Sequence, residues 1–92
     1  MDGLQNFQAK EVRVFAHDSL TVAPSATRIE GTNERGCCIY VGGDGDLKVR
    51  MESGRDTIFK NVVAGTFLPI LVTHVLPGTT APNIVALWWW ME

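Results

Sequence analysis

Few residues in this chain are of kinds that carry out chemistry, and their spacing limits what each can do. His17-Asp18-Ser19 sets an imidazole, a carboxylate and a hydroxyl in a row. A nucleophile, its base and an orienting acid must converge from different directions, and consecutive residues of an extended chain point apart. Cys37-Cys38 places two thiols side by side. Neighbours on a strand face opposite ways, so the pair cannot grip one metal ion, and neither His17 nor His74 stands at ligand spacing from it. One cysteine is expected as a small buried hydrophobe and the other on the opposite face, both reduced in the cytoplasm. His74 lies within an apolar stretch and reads as a satisfied interior or interface histidine. No acid–base constellation is legible, so the expectation is a non-enzyme with no catalytic residues, metal ligands or cofactors.

Gly42-Gly43-Asp44-Gly45-Asp46 is the other chemical candidate. A phosphate-cradling loop leads into a helix and carries a Lys-Ser/Thr pair, and here a strand pattern follows with no such pair. In calcium-binding nonapeptide repeats the aspartate falls one position later than Asp46, and the motif recurs. A tight hairpin, with positive φ at several positions, is the expected role. Trp88-Trp89-Trp90 is the most informative run. Alternation puts Trp88 and Trp90 on one face of a strand and Trp89 on the other, leaving a large aromatic in search of a partner. Interface hot spots are enriched in tryptophan, so the three are expected at an oligomer or capsid interface.

The elements that must position these residues belong to one small domain. The chain has 92 residues, of which 46% are hydrophobic and 20% charged, with a formal charge of −2. A core of that size is thin. The acidic balance disfavours nucleic acid as a partner, and two adjacent cysteines make no disulfide framework. The start lacks the pattern of a signal peptide, and the longest apolar runs are far short of the ~20 residues that cross a bilayer. A soluble protein made in the cytoplasm, with no membrane partner, is expected.

Residues 1–18 read as an extended arm ending in a short strand, and 19–92 as a β domain. Leu4, Phe7, Val12 and Phe15 are the apolar anchors of that arm. Cys37 to Val41 reads as a strand. Leu47, Val49 and Met51 alternate with Lys48, Arg50 and Glu52 as a half-buried one. Ser53-Gly54 marks a hairpin, with Thr57 to Lys60 returning antiparallel. Thr66 to Leu76 is a long strand whose Pro69 requires an edge or a bulge, and Ile84 to Trp90 is the last. The fold class is therefore all-β: a small antiparallel β-sandwich or barrel of about seven strands with an extended N-terminal arm.

From Val22 to Trp88 the chain resembles the spike base proteins of gene transfer agents and tailed phages, small virion proteins that decorate the capsid. The resemblance is carried by Val22-Ala23-Pro24-Ser25, Ile39-Tyr40-Val41-Gly42-Gly43-Asp44-Gly45-Asp46-Leu47 and Val62-Val63-Ala64-Gly65-Thr66-Phe67-Leu68-Pro69-Ile70. Gly78-Thr79-Thr80-Ala81 and Ile84-Val85-Ala86-Leu87-Trp88 complete it. Leu71 and His74 depart from the pattern, and Trp89 to Glu92 run past it. The resemblance implies a structural role in a virion, on the capsid exterior.

The leading expectation is a cement or head-spike base subunit. It oligomerises symmetrically as a trimer or pentamer and contacts the major capsid protein, with a spike or fibre protein as a further partner. Trp88, Trp89 and Trp90, with Leu4, Phe7, Val12 and Phe15, form the expected interface, the arm clamping a neighbouring subunit. The alternatives are a glycan- or receptor-binding β module of a spike or tail, and a small tail or connector adaptor.

Overall fold

The computed structural model describes residues 15–90, with side chains from 16 to 88. Six strands follow in order: β1 (Phe15–Val22), β2 (Cys37–Val41), β3 (Gly45–Met51), β4 (Asp56–Val62), β5 (Thr66–Val75) and β6 (Ile84–Trp90). All pairings are antiparallel, in one sheet of order β1-β6-β2-β5-β3-β4. The described residues are thus all-β with six strands where about seven were expected, joined in one sheet rather than two separate ones. Residues 1–14 of the expected arm lie outside the described residues, and its last four, Phe15 to Asp18, belong to β1.

Alternation builds the core. On β3, Leu47 and Val49 are fully buried while Lys48 and Arg50 between them stay half-buried. Ile39 and Val41 of β2, Val62 of β4, Val72 and Val75 of β5, and Ile84 and Ala86 of β6 join them in one cluster. Strands from both ends of the sheet order share that cluster, so the sheet bends over itself and its inner face closes on one core.

The bend runs along β5. Its first half pairs with β2 through Tyr40↔Phe67 and Ile39↔Leu68, and its second half pairs with β3 through Val49↔Val75 and Arg50↔His74. Between Ile39↔Leu68 and Cys37↔Val72, β5 carries two more residues than β2. Pro69 sits in this bulge, where its missing N–H costs no ladder bond, as its presence in an apolar run required. Beyond the point where β2 begins, residues 25–29 take over the same edge of β5, with Ser25 N donating to Val75 O and Ile29 N to Thr73 O at 2.8 Å each. This segment does the work of an additional strand without the regular conformation of one.

The Ser53-Gly54 hairpin between β3 and β4 is present, closed by Met51 N to Arg55 O at 2.8 Å. The Gly42–Asp46 expectation needs correction. β2 and β3 are not neighbours, so residues 42–44 form a crossing between the two halves of the bent sheet, not a hairpin turn. The glycines serve close approach. A Cβ on Gly43 would stand 2.4 Å from Pro82 Cγ, and one on Gly45 would stand 2.6 Å from Ala81 N. The aspartates fasten the crossing: Asp44 Oδ1 accepts Ala64 N at 2.7 Å and Asp46 Oδ1 accepts Asn61 N at 3.0 Å.

Candidate functional site

The two cysteines diverge as neighbours on a strand must. Cys37 joins the core cluster, and its thiol donates to Val72 O at 3.6 Å. Burial, with Cys38 beside it, pushes the Cys37 thiol up to about 12. A thiol that stays protonated at neutral pH is a poor nucleophile. His74 is buried, with its Nδ1 2.8 Å from Thr73 Oγ1. Burial, then Arg50 and Arg28, hold its pKa below the usual value, so it packs as a neutral ring. No group of three or more His, Cys, Asp or Glu side chains among the described residues is placed to hold a metal.

Two surfaces remain. The first is the outer face of the three central strands. Tyr40 of β2 lies directly between Val85 of β6 and Phe67 of β5. Tyr40 is 38% exposed and Phe67 43%, and Val85 is half-buried. Leu71, further along β5, is also exposed. The inner neighbours Ile39 and Ala86 are fully buried, so these central strands are apolar on both faces. A domain that keeps one face in water usually shows polar residues there.

The second is a trough along the open edge of β1. After Val22 the chain turns at Ala23-Pro24 and returns through residues 25–35, held to β5 by Ser25 N and Ile29 N. Two hollows lie in the resulting gap and meet at Leu20. The larger, about 600 Å³, runs from His17 to Leu20 against Glu30 to Arg35, with Trp88 at its wall. The smaller, about 190 Å³, continues along Leu20 to Ala23 against Ser25 to Ile29. The returning segment is rigid at its middle: buried Thr32 donates from Oγ1 to Ile29 O at 2.6 Å, and Arg28 Nη1 donates to Thr32 O at 2.8 Å.

Trp88 links the trough to the core. Alternation from Ile84 and Ala86 puts it on the core-facing side, where it packs against the cluster half-buried. Gly31, at φ +86°, lies over the indole edge, and a Cβ there would stand 3.4 Å from Trp88 Cζ2. Among the described residues, the buried Nε1–H of Trp88 has no acceptor. An unsatisfied buried donor costs roughly 1–3 kcal/mol, which an incoming acceptor would recover. Trp89 and Trp90 are placed through their backbones, opposite Ala16 and Phe15 of β1. His17 is the extra residue in the register between Ala16↔Trp89 and Asp18↔Trp88, a bulge at the trough's wide end. Leu4, Phe7 and Val12 lie outside the described residues.

The structure therefore brings Trp88 to the same edge as Phe15, and it adds a wall that the residue pattern did not announce. Glu30-Gly31-Thr32-Asn33-Glu34 has the pattern of a polar loop, and nothing local says that it folds back along β1. Comparison with protein-family models and with curated proteins returned no match. The resemblance to spike base proteins rests on the residues quoted for it.

Proposed function

We propose that this chain is a structural subunit of a virion, a cement or head-spike base protein that self-associates symmetrically and binds the outer surface of the major capsid protein. The observation that carries this reading is the apolar row Val85–Tyr40–Phe67 on the outer face of the central strands. Exposed apolar area concentrated on one regular face marks an interaction site. The outer face of a bent sheet, with two large aromatic side chains at its centre, suits a broad protein surface better than a small ligand, which favours concave sites. The open β1 edge adds a place for self-association, separate from the face that docks on the shell.

Co-sedimentation of the full chain with capsids tests the reading. The wild-type chain is expected to pellet with the shell and to saturate. Tyr40→Lys and Phe67→Glu are each expected to weaken binding by roughly 30-fold, the scale of an interface hot spot. Unchanged binding in both variants, with the fold intact by circular dichroism, would remove the outer face from the interface. A wild-type chain that never pellets would end the capsid reading itself.

A further inference from the structure

The outer surface changes character along β5. Phe67 and Leu71 in its first half are exposed apolar residues, whereas His74 in its second half stands among cations. One row crosses three strands there: His74 of β5 pairs with Arg50 of β3, and Arg50 pairs with Asp56 of β4. Arg28 joins the row from the returning segment, which Ser25 N to Val75 O and Ile29 N to Thr73 O fasten to β5 on either side of His74. Its charge, with that of Arg50, acts on the His74 ring. Lys48, two residues from Arg50 and so on the same face, adds a third cation close to Asp56.

Three permanent cations thus accompany one carboxylate, in a chain whose formal charge is −2. Asp56 is engaged by Arg50, accepting from Nε at 2.8 Å and from Nη2 at 3.4 Å. Arg28 Nη1 donates to the Thr32 carbonyl, which holds the side chain in place without neutralising it. The next charged rung is balanced, with Lys60 paired to Asp46. The excess of positive charge is therefore local. We propose that the row Arg28–His74–Arg50, with Lys48, receives an acidic segment of a partner protein. Guanidinium groups match carboxylates in shape and charge. Ile58, 53% exposed opposite Lys48, offers the segment an apolar contact beside the cations. A nucleic acid asks for a longer basic surface, and an acidic chain repels a polyanion at a distance. The contact is made by side chains on the face, so the charges that shield the β4 edge from strand addition do not oppose it. His74 makes the contact sensitive to pH. In the free chain burial, Arg50 and Arg28 outweigh Asp56 and favour the neutral ring. An incoming carboxylate offsets the two guanidinium groups and favours the imidazolium, so binding takes up a proton and strengthens as pH falls. The row is a different part of the outer surface from Tyr40 and Phe67, and its role does not depend on whether the chain binds capsids.

Fluorescence anisotropy of a labelled deca-aspartate peptide, titrated with the full-length chain, tests the proposal. Saturable binding is expected below ~1 mM at low salt, and it should weaken as salt is added. Arg50→Glu and Lys48→Glu are each expected to weaken binding about tenfold. Asp56→Asn releases Arg50 from its carboxylate and is expected to tighten binding about threefold, a gain that loss of the fold does not produce. Affinity should rise from pH 7.5 to pH 5.5, a range in which aspartate side chains stay ionised, and His74→Gln should flatten that rise. A peptide that never saturates overturns the proposal. So does binding indifferent to both reversals, or an affinity that is flat or falls on acidification, which would place the peptide away from His74. A single-stranded DNA of equal charge that binds more tightly than the peptide, and is weakened by the same reversals, gives the row to nucleic acid and overturns the protein partner.

Discussion

The two edges of the sheet differ in how they meet water. β4 is shielded in the way natural edge strands are. Its neighbour β3 holds it with Arg50–Asp56 at 2.8 Å, and Lys60 reaches Asp46 at 3.2 Å. Asn61, at φ +56°, turns the strand out of regular pairing near its end. Charge and irregularity of this kind discourage another strand from adding. β1 has neither defence along most of its length. Ala16 to Thr21 are all exposed, Asp18 is the one carboxylate among them, and the bulge at His17 lies at one end. Among the described residues, then, one edge is blocked by charge and irregularity and the other has a walled slot beside it.

The strongest challenge to that comparison is the core both edges hang from. Leu47→Ala removes a fully buried side chain from the shared cluster and is expected to cost about 2–5 kcal/mol. Because one core serves both halves of the bent sheet, urea unfolding followed by far-UV circular dichroism and by tryptophan fluorescence should give coincident transitions. Separate transitions would mean that the edges belong to independently stable halves.

A matched pair of edge substitutions is the more direct test. Leu20→Lys, at the junction of the two hollows, is expected to weaken self-association by about tenfold, or roughly 1.4 kcal/mol. Ile58→Lys, 53% exposed on β4, is expected to leave the mass unchanged. Equal effects at both edges would dissolve the distinction.

Smaller is the pH dependence on the β3–β5 side. Burial and the positive charges of Arg50 and Arg28, opposed by Asp56, depress the His74 pKa below 6.5 in the folded chain. The neutral ring is thus favoured by folding. Its contribution to stability is complete above pH 6.5 and is lost as pH falls through the lower folded value. Asp46 and Asp56, held below 3.8 by their hydrogen-bond partners, stay ionised in that window. Urea midpoints at pH 7.5 and pH 5 should fall with acidification in the wild-type chain and less so in His74→Gln. Smallest of all is Asp56→Asn, which breaks the exposed Arg50 pair and is expected to leave the thermal unfolding midpoint nearly unchanged. If that change also makes the chain dimerise through β4, the salt bridge shields the edge more than it stabilises the fold.

Much of the local structure was legible beforehand. Alternation located β3, the apolar run located β6, and Ser53-Gly54 located the β3–β4 hairpin, because side-chain direction and turn conformation depend on neighbouring residues. Pro69 called for an edge or a bulge through its missing N–H, and β5 has the bulge. Gly42 to Gly45 misled, since a hairpin and a crossing between layers both ask for residues without side chains. The glycines answer to Pro82 and Ala81, some 40 residues away in the chain, and no local pattern carries that contact. Trp88 was singled out for an interface, whereas Gly31, Glu30 and Glu34, which line the same trough, were not. Their role depends on residues 25–29 bonding to β5 instead of to β1, a choice between two equally available edges.

Sequence by itself determined which residues face inward, because a strand's period of two follows from the backbone, and it determined where the ladder had to break, because proline has no donor. Only the tertiary structure decided which strands became neighbours and which edge was left open. Those outcomes depend on burying Leu47, Ile39 and Ile84 in one common core, a gain that exists only when segments distant in the chain meet. The trough beside β1 is a product of that packing: the returning segment goes where the core needs Ile29, and it leaves a gap along β1.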